Sequence, residues 1–209
     1  IARSYCGSPR YHLIENSENT GFSHAVNQGI AMAKGEYMAL FNNDAFAEPN
    51  WLEELLKTAE SDPKIFAVSS LMLRYYEPEL ADDAGDYVTI LGFACKRGDG
   101  LKASRYQKPC RIFSACGGAA LYRKSILDKI GVFDELFFAS AGAPTILVIK
   151  TSIAPPQSAA ISAVPPPVRC GITHSKAFRA AATAFCCPTK TSRWSCWLSI
   201  LSPCCWAIC

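Results

Sequence analysis

The sequence predicts an incomplete α/β domain, a mostly parallel sheet flanked by helices and related to the Rossmann architecture, over about its first two thirds. Apolar runs without alternation, typical of strands covered on both faces, occur in the order strand, helix, strand, helix, strand. Polar residues follow one of these strands, where open α/β sheets bind their ligands. A chain of 209 residues is long enough for one such domain and an appendage.

The first predicted strand covers residues 11–15. A polar loop follows it, with Gly21 as its flexible point. We expect Ser23 to cap the next helix with its hydroxyl, and the helix to end at Gly35. Asn27 lies one turn into this helix, near the amide-rich end that favours phosphate.

The second predicted strand, residues 37–41, is the element around which the other motifs are arranged. It runs directly into Asn42-Asn43-Asp44. An aspartate and two amides offer the oxygen ligands that hold Mg²⁺ or Mn²⁺ with a substrate's phosphates. The same residue types are common in turns, so the residues alone leave a turn and a metal site open.

The next segments continue the strand and helix order. Pro49 suits the first turn of a helix that presents an apolar stripe and ends before Pro63. Residues 65–73 form an apolar third strand, and residues 74–110 form a turn-rich insertion. Such an insertion is either a substrate loop or surface decoration.

The last motifs of the domain follow the insertion. Gly117 and Gly118 lie between two apolar runs, which allows a turn or a close approach of the backbone to a ligand. A short helix over residues 124–130 then leads to Asp134 and Glu135, two carboxylates in an aromatic setting. These two residues are either part of a site or solvated on a loop that covers the core.

The composition changes near residue 140. Residues 1–140 contain 15 basic residues and all 18 acidic ones, a net charge of −3, whereas residues 141–209 contain six basic residues and no acid. Seven of the 11 cysteines and eight of the 13 prolines also lie in the second part. We therefore divide the chain into a domain of residues 1–139 and a tail of residues 140–209.

Five stretches occur in an order that resembles the family-2 glycosyltransferases of GT-A fold, in particular the bacterial rhamnosyltransferase-like branch. The stretches are NTGFSHAVNQG (19–29), AKGEYMALFNND (33–44), PNWL (49–52), CGGAALYR (116–123) and IGVFDELFF (130–138). The resemblance covers roughly residues 10–139. It implies the transfer of a sugar from a nucleotide-diphosphate donor to a glycan or lipid-linked acceptor, as in the synthesis of cell wall polysaccharides.

The resemblance also assigns roles to individual residues. It implies that Asp44 and Asn42 are ligands of Mg²⁺ or Mn²⁺. It also implies that the donor sugar and the acceptor are bound by Gly117, Gly118, Asp134 and Glu135. The nucleotide pocket would be lined by Asn19, Gly21, Phe22, Asn27 and Asn43. The four cysteines before residue 140 have no metal-ligand spacing and no dense framework, which indicates reduced thiols and a cytoplasmic location. We further expect a position at the inner face of the membrane, with peripheral membrane association.

Two features depart from the family pattern. The family begins with a strand and a base-binding loop, and this chain begins after them. The family also has a Glu-Asp-x-Asp segment with the general base after the aromatic run, but Phe138 is followed by residues without a carboxylate. Asp134 and Glu135 are weak substitutes for that base.

These departures lead to the hypotheses that the chain is inactive and that the tail is a wrong-frame translation product without a native fold. A metal cluster of tail cysteines lacks zinc-site spacing, and six scattered charges predict no nucleic-acid partner. The apolar segment 194–209 is too short to span a membrane. The alternative function is a non-catalytic nucleotide- or carbohydrate-binding module of the same fold. An unrelated nucleotide-binding enzyme is disfavoured, since the chain lacks a glycine-rich phosphate motif.

Overall fold

The computed structural model describes residues 11–91 and 93–136 in full, and the backbone of four strands farther along the chain. The described helices are α1 (Gly21–Met32), α2 (Trp51–Glu60) and α3 (Lys124–Ile130). The strands up to residue 136 are β1 (Tyr11–Glu15), β2 (Tyr37–Asn42), β3 (Ala45–Phe46), β4 (Ile65–Ser69), β5 (Met72–Arg74), β6 (Ala81–Asp83), β7 (Asp86–Val88), β8 (Ala94–Lys96), β9 (Cys110–Ile112) and β10 (Ala119–Arg123). The strands of the tail are β11 (Ala159–Ser162), β12 (Val168–Cys170), β13 (Ala181–Cys187) and β14 (Cys196–Leu201).

The main sheet has the strand order β1-β14-β13-β2-β10-β4-β11-β9. Strand β10 lies between β2 and β4 and is antiparallel to both, so the sheet is mixed. A second sheet has the order β3-β12-β5-β6, and β7 and β8 form a separate hairpin. The expectation of an α/β domain with flanking helices is confirmed, and the antiparallel β10 departs from a parallel arrangement.

Both faces of β2 are buried, as its continuous apolar sequence predicts. On one face, Met38 and Leu40 pack with Val26 and Ile30 of α1. On the other face, Tyr37 and Ala39 pack with Trp51 and Leu55 of α2. The alternating side chains of one strand therefore fix a helix on each side of the sheet, and they hold the end of β2 in place.

Three expectations about element boundaries are wrong. Helix α1 begins at Gly21 rather than after Ser23, and Ser23 is buried within it. The helix ends at Met32, before Gly35. The apolar run 65–73 is two strands of different sheets, because the chain leaves the main sheet at Ser70 and Leu71.

The tail contributes backbone to the sheets, and β13 and β14 lie side by side between β1 and β2. The side chains of these strands lie outside the described residues. Extended backbone of many sequences can pair with an open strand edge, so the pairing does not test whether the tail has a native fold. That expectation and the frameshift hypothesis stay predictions. In the described part of the chain, no helix is long and apolar enough to cross a bilayer.

Candidate functional site

The candidate site lies at the carboxyl end of β2, where that strand meets the turn before β10. The backbone N–H of Asn42 donates to the carbonyl of Gly118 over 2.8 Å. The adjoining pair, Phe41 and Ala119, continues the register between the two strands. The metal motif, Asn42-Asn43-Asp44, and the Gly-Gly segment, Gly117-Gly118, are therefore hydrogen-bonded neighbours. Asn42 and Gly118 are 76 positions apart in sequence.

The two glycines leave room for close contacts on both sides of the backbone. A Cβ atom on Gly117 would lie 3.2 Å from Cζ of Phe22. A Cβ atom on Gly118 would lie 3.3 Å from Nδ2 of Asn42 and 3.2 Å from Cε of Met72. The structure thus brings together Phe22 of the predicted nucleotide pocket, the metal motif and the Gly-Gly segment, called the Gly-Gly floor below, which are separate in the sequence.

Asp44 is half-buried and has a feature that points to a cation. Its Oδ1 atom is buried and has no hydrogen-bond partner. Burial raises the pKa of Asp44, its backbone hydrogen bond lowers it, and the nearby charge of Asp82 raises it further. A divalent cation would partner the unpaired oxygen and favour the ionised carboxylate.

The donor set around Asp44 fits a magnesium ion held largely by substrate. Among residues 11–91 and 93–136, no three His, Cys, Asp or Glu side chains converge on one point. Mg²⁺ is typically bound through one or two carboxylates, with phosphate and water oxygens completing its shell. Asp44 with the neighbouring Asn42 is consistent with that arrangement.

A buried acidic cluster beside the floor was not predicted as part of the site. Asp83 is 1% exposed, its Oδ1 accepts from the Gly85 N–H over 2.6 Å, and its buried Oδ2 has no partner. Burial, with a smaller contribution from Asp86, raises the pKa of Asp83 to about 7. Burial, with a smaller contribution from Asp83, raises the pKa of the thiol of Cys116, next to Gly117, well above its usual value.

This cluster could have been found from three acids around one glycine in Asp82-Asp-Ala-Gly-Asp86. Sequence reasoning took that run for a turn, because Asp and Gly are also the common turn residues. The structure shows that Asp83 of this run is instead buried, close to Cys116, the residue before the Gly-Gly segment.

Asn27 holds the segment after α3 against α1. Its Nδ2 donates to the Phe133 carbonyl and to Oε1 of Glu135, both over 2.8 Å, and its Oδ1 accepts from the Phe133 N–H over 3.0 Å. Nδ1 of His24 lies 3.0 Å from Oε2 of Glu135. The amide of Asn27 is thus engaged with the predicted acceptor segment, and its phosphate-binding role stays a prediction.

The other predicted site residues make contacts within their own loops or are exposed. Oδ1 of Asn19 accepts from the N–H of Gly21, which has a φ of 82° and begins α1. Asn43 is exposed next to Asp44. Oδ1 of Asp134 accepts from the Leu136 N–H over 3.0 Å, a turn contact. The residues that replace the Glu-Asp-x-Asp segment lie outside the described residues.

Comparison with known families gives one family match. Residues 1–131 match the family described as Glycosyl transferase family 2. The match covers more than half of the 209 residues and contains the loop, the metal motif and the Gly-Gly floor.

Three curated proteins are similar to parts of the chain. A glucosyl-dolichyl phosphate glucuronosyltransferase of Haloferax volcanii is 36% identical over 58 residues, which is 28% of this chain and 18% of that protein. An uncharacterized glycosyltransferase of Haemophilus influenzae is 30% identical over 80 residues, 38% of this chain and 25% of that protein. The putative glycosyltransferase EpsH of Bacillus subtilis is 29% identical over 82 residues, 39% of this chain and 22% of that protein. The matched stretches therefore span a quarter or less of these relatives.

Proposed function

This chain belongs to glycosyl transferase family 2, and from that premise we propose that it binds a nucleotide-diphosphate sugar at the carboxyl end of β2. The reaction of the site is transfer of the sugar to a hydroxyl of a glycan or lipid-linked acceptor. The proposed sugar is rhamnose or a similar hexose, because the sequence resembles the rhamnosyltransferase-like branch of the family.

One observation carries this proposal. Phe22 contacts Gly117 from one side, while Asn42 contacts Gly118 from the other. The predicted nucleotide, sugar and metal segments are therefore in contact with one another at the carboxyl end of β2, as the binding of one extended donor requires. Asp44, two residues after Asn42, adds a carboxylate oxygen without a partner, which suits it to a cation bound with the diphosphate.

The residues of the metal motif have defined tasks in this proposal. Asp44, with Asn42 beside it, would hold Mg²⁺ or Mn²⁺, which neutralises the negative charge of the leaving diphosphate. Asn42 is fixed for this task by its backbone bond to Gly118. Phe22 and the backbone of the Gly-Gly floor would position the sugar and exclude water from its reacting carbon.

The acceptor side is proposed to lie near residues 132–136. Asn27 and His24 orient Glu135 there, and the carboxylate is half-exposed. The name of the Haloferax relative contains a dolichyl-phosphate-linked sugar, which supports a lipid-linked acceptor for this chain too. A cytoplasmic location at the inner face of a bacterial membrane, in cell wall polysaccharide synthesis, follows from such an acceptor.

Turnover by this chain requires a general base that the sequence after Phe138 does not supply. We therefore propose binding of donor and metal with little or no sugar transfer. The alternative of a non-catalytic binding module makes the same prediction for the chain as it is. The two differ after the Glu-Asp-x-Asp segment is restored: a transferase then hydrolyses or transfers the donor sugar, whereas a binding module still does not.

The binding step is tested by calorimetry with nucleoside diphosphates, in MgCl₂ and in EDTA. We expect Asp44→Asn to lower the affinity in MgCl₂ by at least about tenfold and to remove the difference between the two buffers. Glu53→Gln, an exposed acid in the first turn of α2, is the matched control and should bind like the parent chain. Equal affinities of the parent chain and Asp44→Asn under both conditions would contradict the proposal.

A further inference from the structure

The hairpin formed by β7 and β8 carries large apolar side chains at its tip. The two strands are antiparallel, with Tyr87 opposite Cys95. Beyond them, Ile90 is fully exposed, Leu91 is 79% exposed and Phe93 is 65% exposed. Turn residues are usually small or polar, so three exposed apolar side chains at one tip indicate contact with another apolar phase.

The hairpin presents this tip on a well-bonded base. The N–H of Thr89 donates to the Phe93 carbonyl over 2.9 Å, and the N–H of Phe93 donates to Oγ1 of Thr89 over 3.1 Å. At the other end, the N–H of Asp86 donates to the Ser114 carbonyl, and the Asp86 carbonyl accepts from Phe113. The apolar side chains are therefore held outward by hydrogen bonds at both ends of the hairpin.

A basic segment follows the hairpin directly. Residues 96–111 contain six Lys and Arg and one acid, Asp99, a net charge of +5 in a region of the chain that is acidic as a whole. The Asp99 carboxylate lies 3.1 Å from Arg74. The exposed basic residues of the segment are Lys96, Lys102, Arg105, Lys108 and Arg111.

Contacts at the base of the hairpin fix the start of this segment. The N–H of Arg97 donates to the Gly85 carbonyl over 2.8 Å, and the N–H of Ala84 donates to the Arg97 carbonyl. The guanidinium of Arg97 lies 4.7 Å from the centre of the Tyr106 ring. Residues 97–106 are thus tied to the same base that carries the apolar tip.

We propose that the hairpin tip and the basic segment 96–111 form a docking surface for an anionic lipid bilayer. Ile90, Leu91 and Phe93 enter the interfacial region, and the Lys and Arg side chains meet the anionic head groups. A second copy of the chain fits this surface poorly, because two segments of net charge +5 would repel each other. The surface would bring the proposed site to a lipid-linked acceptor, although bilayer binding itself requires neither donor nor acceptor.

Co-sedimentation of the full chain with phosphatidylcholine vesicles, with and without about one third phosphatidylglycerol, tests this surface. We expect binding to the anionic vesicles that weakens with salt. The variant Ile90→Ser/Leu91→Ser/Phe93→Ser should bind at least about tenfold more weakly. Lys102→Gln/Arg105→Gln/Lys108→Gln should bind more weakly and with less dependence on salt.

The control variant Met32→Ser/Tyr76→Ser removes two large exposed side chains outside the hairpin and outside the proposed site, 45% and 75% exposed. It should bind vesicles like the parent chain, and circular dichroism should show that all variants fold. Equal vesicle binding by the parent and the tip variant would overturn the proposal. The proposal would also be overturned if the parent chain did not bind vesicles but self-associated, and the tip variant did not self-associate. Nucleotide affinity, measured on the same variants, should not change, so a failure here is distinct from a failure of the proposed function.

Discussion

Replacing the buried Asp83 by asparagine should change how the stability of the fold depends on pH. Burial is the main reason why the pKa of this carboxyl rises from 3.8 to about 7. Between those two values the folded chain holds a proton that the unfolded chain has released. Stability therefore falls as the pH rises through this window, and the loss is complete above the folded pKa.

The shift sets the size of the effect. A difference of about three pKa units corresponds to about 4 kcal/mol of unfolding free energy, since each unit contributes about 1.4 kcal/mol. Asparagine keeps an oxygen that can accept from the Gly85 N–H, but it cannot ionise. Relative to the parent, Asp83→Asn should have similar stability near pH 4 and be more stable by up to about 4 kcal/mol at pH 8.

Urea unfolding of the full chain at several pH values between 5 and 8 measures this difference. Asp99→Asn is a suitable control, because that carboxylate is half-exposed and pairs with Arg74 at the surface. The control should follow the pH dependence of the parent. Parallel curves for the parent and Asp83→Asn would refute the reasoning, since Asp83 would then ionise in the same range in both states.

Two further substitutions test contacts around the site. Asn27→Asp places a carboxylate where an amide donates to the Phe133 carbonyl and to Glu135, so hydrogen exchange of residues 131–136 should increase; unchanged exchange would contradict the role of that amide. Gly85→Ala should lower the unfolding free energy by at least about 2 kcal/mol, because Gly85 has a φ of 99° and a Cβ there would lie 2.6 Å from Cδ1 of Ile112. A smaller loss in urea unfolding would show that Ile112 moves freely aside.

The elements that sequence predicted best are those with a strong local signal. The unbroken apolar run of β2 predicted that the strand is buried and that Asp44 follows its carboxyl end. The stripe of α2 gave its packing against the other face, with Trp51 and Leu55 buried. The first signal is unbroken hydrophobicity and the second is helical periodicity, and both can be read over about ten residues.

The features that sequence did not predict depend on tertiary contacts. The run 65–73 is apolar throughout, so nothing local marks the point where the chain leaves one sheet for another. The direction of β10 is set by its two neighbours, and either direction would bury the same side chains. Asp83 is buried because β6 places it inside, and its sequence context is equally typical of a surface turn.

The contacts that hold the candidate site lie within the family-matched part of the chain. Asn42 is fixed to Gly118 through the pairing of β2 with β10, on the side of β2 away from the tail strands. The nucleotide loop is tied to α1 by a reciprocal amide pair, in which Asn16 and Gln28 each donate to the other over 3.1 and 3.0 Å.

Helix α1 in turn packs directly on β2 through Val26 and Ile30. Strands β13 and β14 enter between β1 and β2, so they set the spacing of those two strands. Strand β13 also pairs with β2 as far as Asn42, so backbone of the tail borders the metal motif on that side. The other contacts that position the metal motif, the bond from Asn42 to Gly118 and the packing of α1 on β2, lie within the family-matched residues, so they are the contacts that the family sequence itself supplies.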